Sequence, residues 1–207
     1  MHALEPAEID GTAPSIVRLA SDAATAANVG PFAAIPGALA DLAVEEMSRQ
    51  GASVCLVENG GEICGKSKIP LNVGIYAGVS QLSGRIGFHL AANDFPIGIS
   101  TSSATVSHAM TFGQADAAIT VAETAALSDA SATAVCNAVA GKDMQASVQA
   151  GLQVAEEMSH LRGALVVRGQ FVGSVGSLPK LLNLKGEVDE MLKAGLHEIG
   201  RQPAVAI

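Results

Sequence analysis

GISTSSATVSHAMTFGQADAAITVAETAALSDASATAVCNAV, residues 98–139, joins a polar run, a strand and a helix in one continuous segment. It opens in small and hydroxyl-bearing residues. It passes through AAITVA (Ala117–Ala122), which reads as a buried strand, and continues into an Ala-rich helix over Glu123–Val139. A helix with side chains this short gains little from its own surface. It must pack closely against something else to be stable.

Working outward, IVRLASDAATAAN (Ile16–Asn28) predicts a helix, and NVGPFAAIPGALAD breaks regular structure with Gly and Pro. From Gly37 the spacing predicts a second helix with Leu39, Leu42, Ala43 and Met47 as its apolar stripe, ending at Gly51. SVCLVE (Ser53–Glu58) reads as a short buried strand followed by a turn, NGGE. LNVGIYAG (Leu71–Gly78) and GRIGFHLA (Gly84–Ala91) read as further strands, the second with Ile86, Phe88 and Leu90 on one side. Beyond Val139 a helix is expected over Met144–His160. A hairpin in ALVVRGQFVGSV turns at Arg168-Gly169, and an amphipathic helix over GEVDEMLKAGLHEIG closes the chain. This order is not a regular βαβ alternation. It predicts an α+β fold with a mixed or largely antiparallel sheet packed with helices. The expected organisation is one domain over 1–207, with 1–15 as a loose leader and 185–207 as a helical appendage.

Of the 207 residues, 49% are hydrophobic and 15% charged, the formal net charge is −8, and there is no Trp. That is enough apolar material for a substantial core, built from Ala, Val, Leu and Ile. The acidic balance and scattered Lys and Arg argue against nucleic-acid and membrane-surface partners. The N-terminus lacks the apolar core of a signal peptide, and no apolar run approaches the roughly 20 residues of a spanning helix. A cytoplasmic location is the expectation. Cys55, Cys64 and Cys136 show neither CxxC nor zinc-ligand spacing, and read as small buried apolar residues.

Three constellations can carry chemistry. Ser100, Thr101, Ser102, Ser103 and Thr105 put five hydroxyls in six residues after an apolar strand. Such a run suits an anion such as phosphate, and equally a turn that satisfies its own backbone. Asp129, Thr133 and Asn137 lie four apart on one helical stripe. A carboxylate with a hydroxyl one turn on offers the oxygen ligands that magnesium prefers, and a solvated polar face is the alternative. The turn Asn59-Gly60-Gly61-Glu62 allows close approach of a ligand, or is a plain hairpin turn. His108 and Asp116 lie beside the hydroxyl run, as candidates to accept or donate a proton.

Taken in order, GPFAAIPGALAD, LVENGGEI, VGIYAG and the 98–139 stretch resemble the ApbE superfamily. Its best-known members are FAD:protein FMN transferases. The chain looks closest to the superfamily's short branch of conserved proteins with no assigned activity. The resemblance spans about Asn28 to Val175 and implies a fold related to the T-fold. It also implies a site for FAD or a related flavin or nucleotide with Mg2+, held by Asp129 and Thr133. Asn59, Gly60, Gly61, Glu62 and the Ser100–Thr105 hydroxyls would line the cleft, with His108 and Asp116 as catalytic candidates. Two departures from the transferases weigh against flavin transfer. Pro36-Gly37 stands in place of a Lys-Gly pair, and the His-Ile-Ile-Asp-Pro-type segment is absent. The expected functions are therefore a Mg2+-dependent enzyme of transferase or hydrolase type on a phosphate-bearing cofactor, a non-catalytic binder of that cofactor, or an oligomeric interaction protein. A homo-oligomer is expected.

Overall fold

The computed structural model describes residues 4–75, 83–105, 111–184 and 204–206. The predicted closing helix over 186–200, the end of the strand predicted over Leu71–Gly78, and His108 lie outside the described residues.

Helix α1 (Ser15–Ala27) ends at Asn28, whose φ of 53° is the left-handed cap that terminates many helices. A 3-10 turn (Pro31–Ala34) leads into α2 (Ile35–Arg49), with proline in its first turn. Strands β1 (Val54–Asn59), β2 (Glu62–Ser67), β3 (Leu71–Gly74), β4 (Ile86–Leu90), β5 (Ile97–Ser102) and β6 (Ala117–Ala122) follow. Next come α3 (Ala125–Ala138), α4 (Met144–Glu156), β7 (Leu161–Arg168), β8 (Phe171–Gly176), β9 (Lys180–Asn183) and β10 (Ala204–Ala206). Thr124 caps α3 by accepting the Leu127 N–H, and Asp143 caps α4 by accepting the Ala146 N–H.

The strands form two sheets. One has six strands in the order β1-β2-β5-β6-β7-β8, every pair antiparallel. The other has four, in the order β10-β3-β4-β9, with only β10 parallel to its neighbour. The fold is thus α+β with a largely antiparallel sheet, as expected. Between the sheets lies a core of Ile63, Val73, Phe88, Leu90, Ile99, Ile119, Val121 and Val167. The opposite face of the larger sheet carries α2, α3 and α4, and α1 packs outside them on α2 and α3. No single helix among the described residues is long and apolar enough to cross a membrane. The α1 and 31–49 segments pass such a test only together, and are bent by 105°.

Three expectations change. The stripe Leu39, Leu42, Ala43, Met47 is not the inward face of α2. Leu39 is 50% exposed, and the buried residues are Gly37, Ala38, Ala40 and Val44. The reason is distance: a Cβ at Gly37 would lie 2.4 Å from the Ala125 carbonyl oxygen, so only the small side of α2 can meet α3. EICGKS and KLLN are strands that the sequence reading passed over. The first is largely buried and so shows no alternation, and the second is only four residues long. Ser100 to Ser102 belong to β5 itself rather than to a loop beyond it. All three cysteines are free and buried, as expected.

Helix α3 is the centre of the helical layer, and glycines let it sit at backbone distance from its neighbours. A Cβ at Gly98 on β5 would fall 2.1 Å from the Thr124 carbonyl. Gly98→Ala is therefore expected to destabilise by about 1–3 kcal/mol, as an overpacked core site does. For a chain of this size that lowers Tm by about 2–4 °C per kcal/mol. Gly11→Ala, which meets nothing within 4 Å, is the control for the same thermal melt.

Candidate functional site

The β1–β2 hairpin closes with Asn59 opposite Glu62. Its two central residues both have positive φ, 77° at Gly60 and 112° at Gly61, which the tight primed turns require. The Gly61 N–H donates to Glu58 Oε1 at 2.8 Å, and Asn59 Nδ2 donates to the Pro36 carbonyl at 3.1 Å. The turn is thereby tied to the start of α2. On its other side a Cβ at Gly61 would stand 3.6 Å from the Thr101 carbonyl, so the turn also borders the hydroxyl run.

Strand alternation then directs the side chains. Ile63 faces the sheet–sheet core, so Glu62 faces the helices. Glu62 pairs with Ser100 on β5, and Ser100 pairs with Thr120 on β6, making one polar row beneath α3. All three are buried, as are Ser128 and Asp129 on the helix above them. Thr120 Oγ1 donates to the Ser128 carbonyl at 2.7 Å, and Ser128 Oγ donates to the Thr120 carbonyl at 2.8 Å. Ser100 Oγ reaches the Ala125 carbonyl at 3.5 Å. Hydroxyls fasten the first half of α3 to the sheet, and Val135 packs on Ala118 and Val166 further along it.

Asp129 Oδ2 accepts the Gly37 N–H at 2.9 Å. Burial nevertheless pushes its carboxyl up to about 7, opposed by that hydrogen bond and assisted by the charge of Asp41. Glu62 is pushed up to about 8 by burial, then by the charges of Asp129 and Glu58. The direction is upward for both acids. Among the described residues the one ion pair of Lys or Arg with a carboxylate is Arg49–Glu46, on the surface, so no basic side chain offsets this pair.

The remaining predicted residues are distributed around this centre. Thr133 lies one turn beyond Asp129 and is half-buried. Asn137, a turn further, accepts the Phe112 N–H at 2.9 Å and the Thr111 hydroxyl at 3.1 Å, holding the loop before β6. Ser103 Oγ accepts the Thr105 N–H at 3.1 Å, so the end of the hydroxyl run forms the local turn weighed above. Thr101 Oγ1, on the sheet–sheet face with Ile99, is buried without a partner among the described residues. Asp116 Oδ2 accepts the Gly169 N–H at 2.6 Å and secures the β7–β8 turn. No three His, Cys, Asp or Glu side chains among the described residues gather as a metal-ligating group. Sequence reasoning missed Asp41, which accepts the N–H groups of Ala125 and Ala126 at 2.8 and 2.9 Å. Nothing near Asp41 in sequence signals a cap on a helix more than 80 residues away.

The model of the family described as AbpE bacteria matches residues 1–199. The chain belongs to this family. A UPF0280 protein of Methanocaldococcus jannaschii is 39% identical over 179 residues, covering 86% of this chain and 72% of that one. A UPF0280 protein of Methanopyrus kandleri is 40% identical over 177 residues, covering 84% and 70%. Among solved structures, the apo flavinyl transferase ApbE of Pseudomonas stutzeri aligns with a TM-score of 0.46 at 17% identity, over 72% of this chain. The chain spans about half of that structure's length, 48%. The family match and these relatives make the chain an ApbE-like protein of the UPF0280 branch.

The raised carboxyls make a testable statement about pH. Both folded values lie above the ordinary 4.5 and 3.8 of unfolded Glu and Asp. The native state therefore holds extra protons, and the pair's favourable contribution is complete below the unfolded values. It is lost as pH rises through the folded values, about 7 and 8. In metal-free buffer the urea midpoint of the parent should fall relative to Glu62→Gln between about pH 5 and 8. Parallel pH profiles would refute the raised values.

Proposed function

We propose that this AbpE-family chain binds a phosphate-bearing cofactor of the flavin or nucleotide class together with Mg2+, at the end of the six-stranded sheet where the glycine turn, the hydroxyl run and α3 meet. The observation that carries the reading is the two buried acids Glu62 and Asp129, which no basic side chain among the described residues offsets. Two carboxylates that share a dry site need either a proton or a cation. The donor set suits Mg2+: carboxylate oxygen from Asp129 and hydroxyl from Thr133. Mg2+ keeps waters and takes oxygens from substrate phosphates, so one or two carboxylates suffice where three do not gather. Bound there, the ion would neutralise charge on a bridging phosphate oxygen.

The chain's own residues supply the rest. Gly60 and Gly61 leave the turn without side chains that would stand off a ligand. Ser102 and Thr105 offer hydroxyls toward a phosphate, with His108 and Asp116 the candidates to move a proton. The resemblance of the Asn-Gly-Gly-Glu turn, the Ser-Thr-Ser run and the Asp129 helix to the FAD:protein FMN transferases sets the flavin end of the cofactor range. The Pro36-Gly37 pair, whose Pro36 carbonyl is already engaged by Asn59, favours binding without flavin transfer as the second reading.

Thermal melts with FAD, FMN or ADP, each with and without Mg2+, test this. A ligand at a hundredfold its Kd stabilises by about 2.7 kcal/mol. A rise in Tm that needs Mg2+ and vanishes in Asp129→Asn is expected, since Asn keeps an acceptor for the Gly37 N–H and loses only the charge. No Mg2+-dependent rise with any of the three would overturn the reading. Release of a phosphate or transfer of FMN in the same mixtures separates an enzyme from a binder.

A further inference from the structure

Phe112 has a placement that the site as described does not explain. The chain has five Phe, one Tyr and no Trp, so aromatic side chains are scarce. Phe112 is nevertheless 64% exposed, as is Phe32. A single exposed apolar residue is ordinary on a loose loop. This one is on a backbone pinned from several sides. Its own N–H donates to Asn137 Oδ1, and the Thr111 hydroxyl donates to the same oxygen. The Gly113 N–H donates to Thr111 Oγ1 at 3.2 Å. Gly113 lies so close to α3 that a Cβ there would stand 1.7 Å from the Cys136 carbonyl oxygen. The ring is therefore held out to solvent by a rigid support, an arrangement that suits an aromatic anchor awaiting a partner.

The support itself gives the direction. Asn137 is the last residue of the stripe that begins at Asp129 and passes through Thr133. At 1.5 Å per residue the eight-residue interval spans about 12 Å along α3. A cofactor whose phosphates meet Asp129 and Thr133 would need a sugar-length or ribityl-length spacer to bring a ring to Phe112. Flavin and purine nucleotides have that layout: phosphate, spacer, planar heteroaromatic ring.

We propose that Phe112 is the stacking wall for the planar heteroaromatic ring of the cofactor. This rests on the phosphate-and-Mg2+ reading above and adds the residue that selects for a ring. Phe112 is a specificity residue, not a catalytic one, and its exposure means that its removal leaves the core untouched.

The test uses the full chain as parent, Phe112→Ala and Phe112→Tyr, with Mg2+ present and three probes: inorganic pyrophosphate, FMN and ADP. Calorimetry reads the affinities, and the flavin absorption band reads stacking. Pyrophosphate should bind all three proteins equally. FMN or ADP should bind Phe112→Ala roughly tenfold more weakly or worse, from the usual worth of one aromatic stack. Phe112→Tyr should restore the affinity and, for FMN, the shifted band; whichever of the two responds identifies the ring. Equal affinity of Phe112→Ala for pyrophosphate, FMN and ADP relative to the parent would overturn the stacking wall and leave the phosphate reading intact. An equal loss for all three probes would also overturn it, since Phe112 would then act through the fold. No binding of any probe by the parent would overturn both.

Discussion

Two helices distant in sequence each hold the other's N-terminus. Asp41 on α2 takes the first two N–H groups of α3, and Asp129 on α3 takes an N–H from the first turn of α2. The opening N–H groups of a helix have no partner of their own, and the helix dipole favours negative charge there. Each carboxylate therefore satisfies a donor that would otherwise be buried and unpaired. The exchange works only if the helices approach to backbone distance, and this is why Gly37, Ala125 and Ala126 lie at the crossing. The rest follows from that closeness. Small residues fill the layer, hydroxyls bond α3 to the sheet, and Leu39 is turned outward because the inward side has no room for it.

The same exchange creates the site. Asp129 is brought under the start of α2 to serve as a cap, and there it lies above the polar row that Glu62 enters from β2. One hydrogen bond from Gly37 does not compensate a buried carboxylate, and a second carboxylate beside it makes matters worse. A site that is structurally required and electrostatically unfinished is one where stability and binding draw on the same atoms. That differs from Asp41, which meets two N–H groups and closes its own account with the α3 terminus.

Much of this could be read in the sequence wherever a period or a turn was local. AAITVA, the Ala-rich helix after it and the Gly-Gly hairpin needed only their own residues to be recognised. So did the polar stripe at Asp129, Thr133 and Asn137, although its outcome differs along its length: one end is buried against a helix terminus and the other holds a loop. What could not be read depended on distant partners. EICGKS has no alternation because both its faces are covered, and Asp41 looks like any acid on a helix. The inward face of α2 was misread because periodicity finds the large apolar side, whereas a crossing at backbone distance selects the small one. Asp116, placed by its position beside the hydroxyl run, turned out to hold the Gly169 turn, a partner more than 50 residues away.

The reciprocal caps join residues 92, 84 and 85 positions apart. Contacts of such span carry the loop-closure entropy of more than 80 residues, a cost that contacts within one helix do not bear. Neither helix end has its cap until α2 and α3 have met, so the acids are brought together only by the assembled helical layer. The site is thereby a reporter of completion: any molecule that binds it draws from the fully assembled population and leaves partly folded chains untouched.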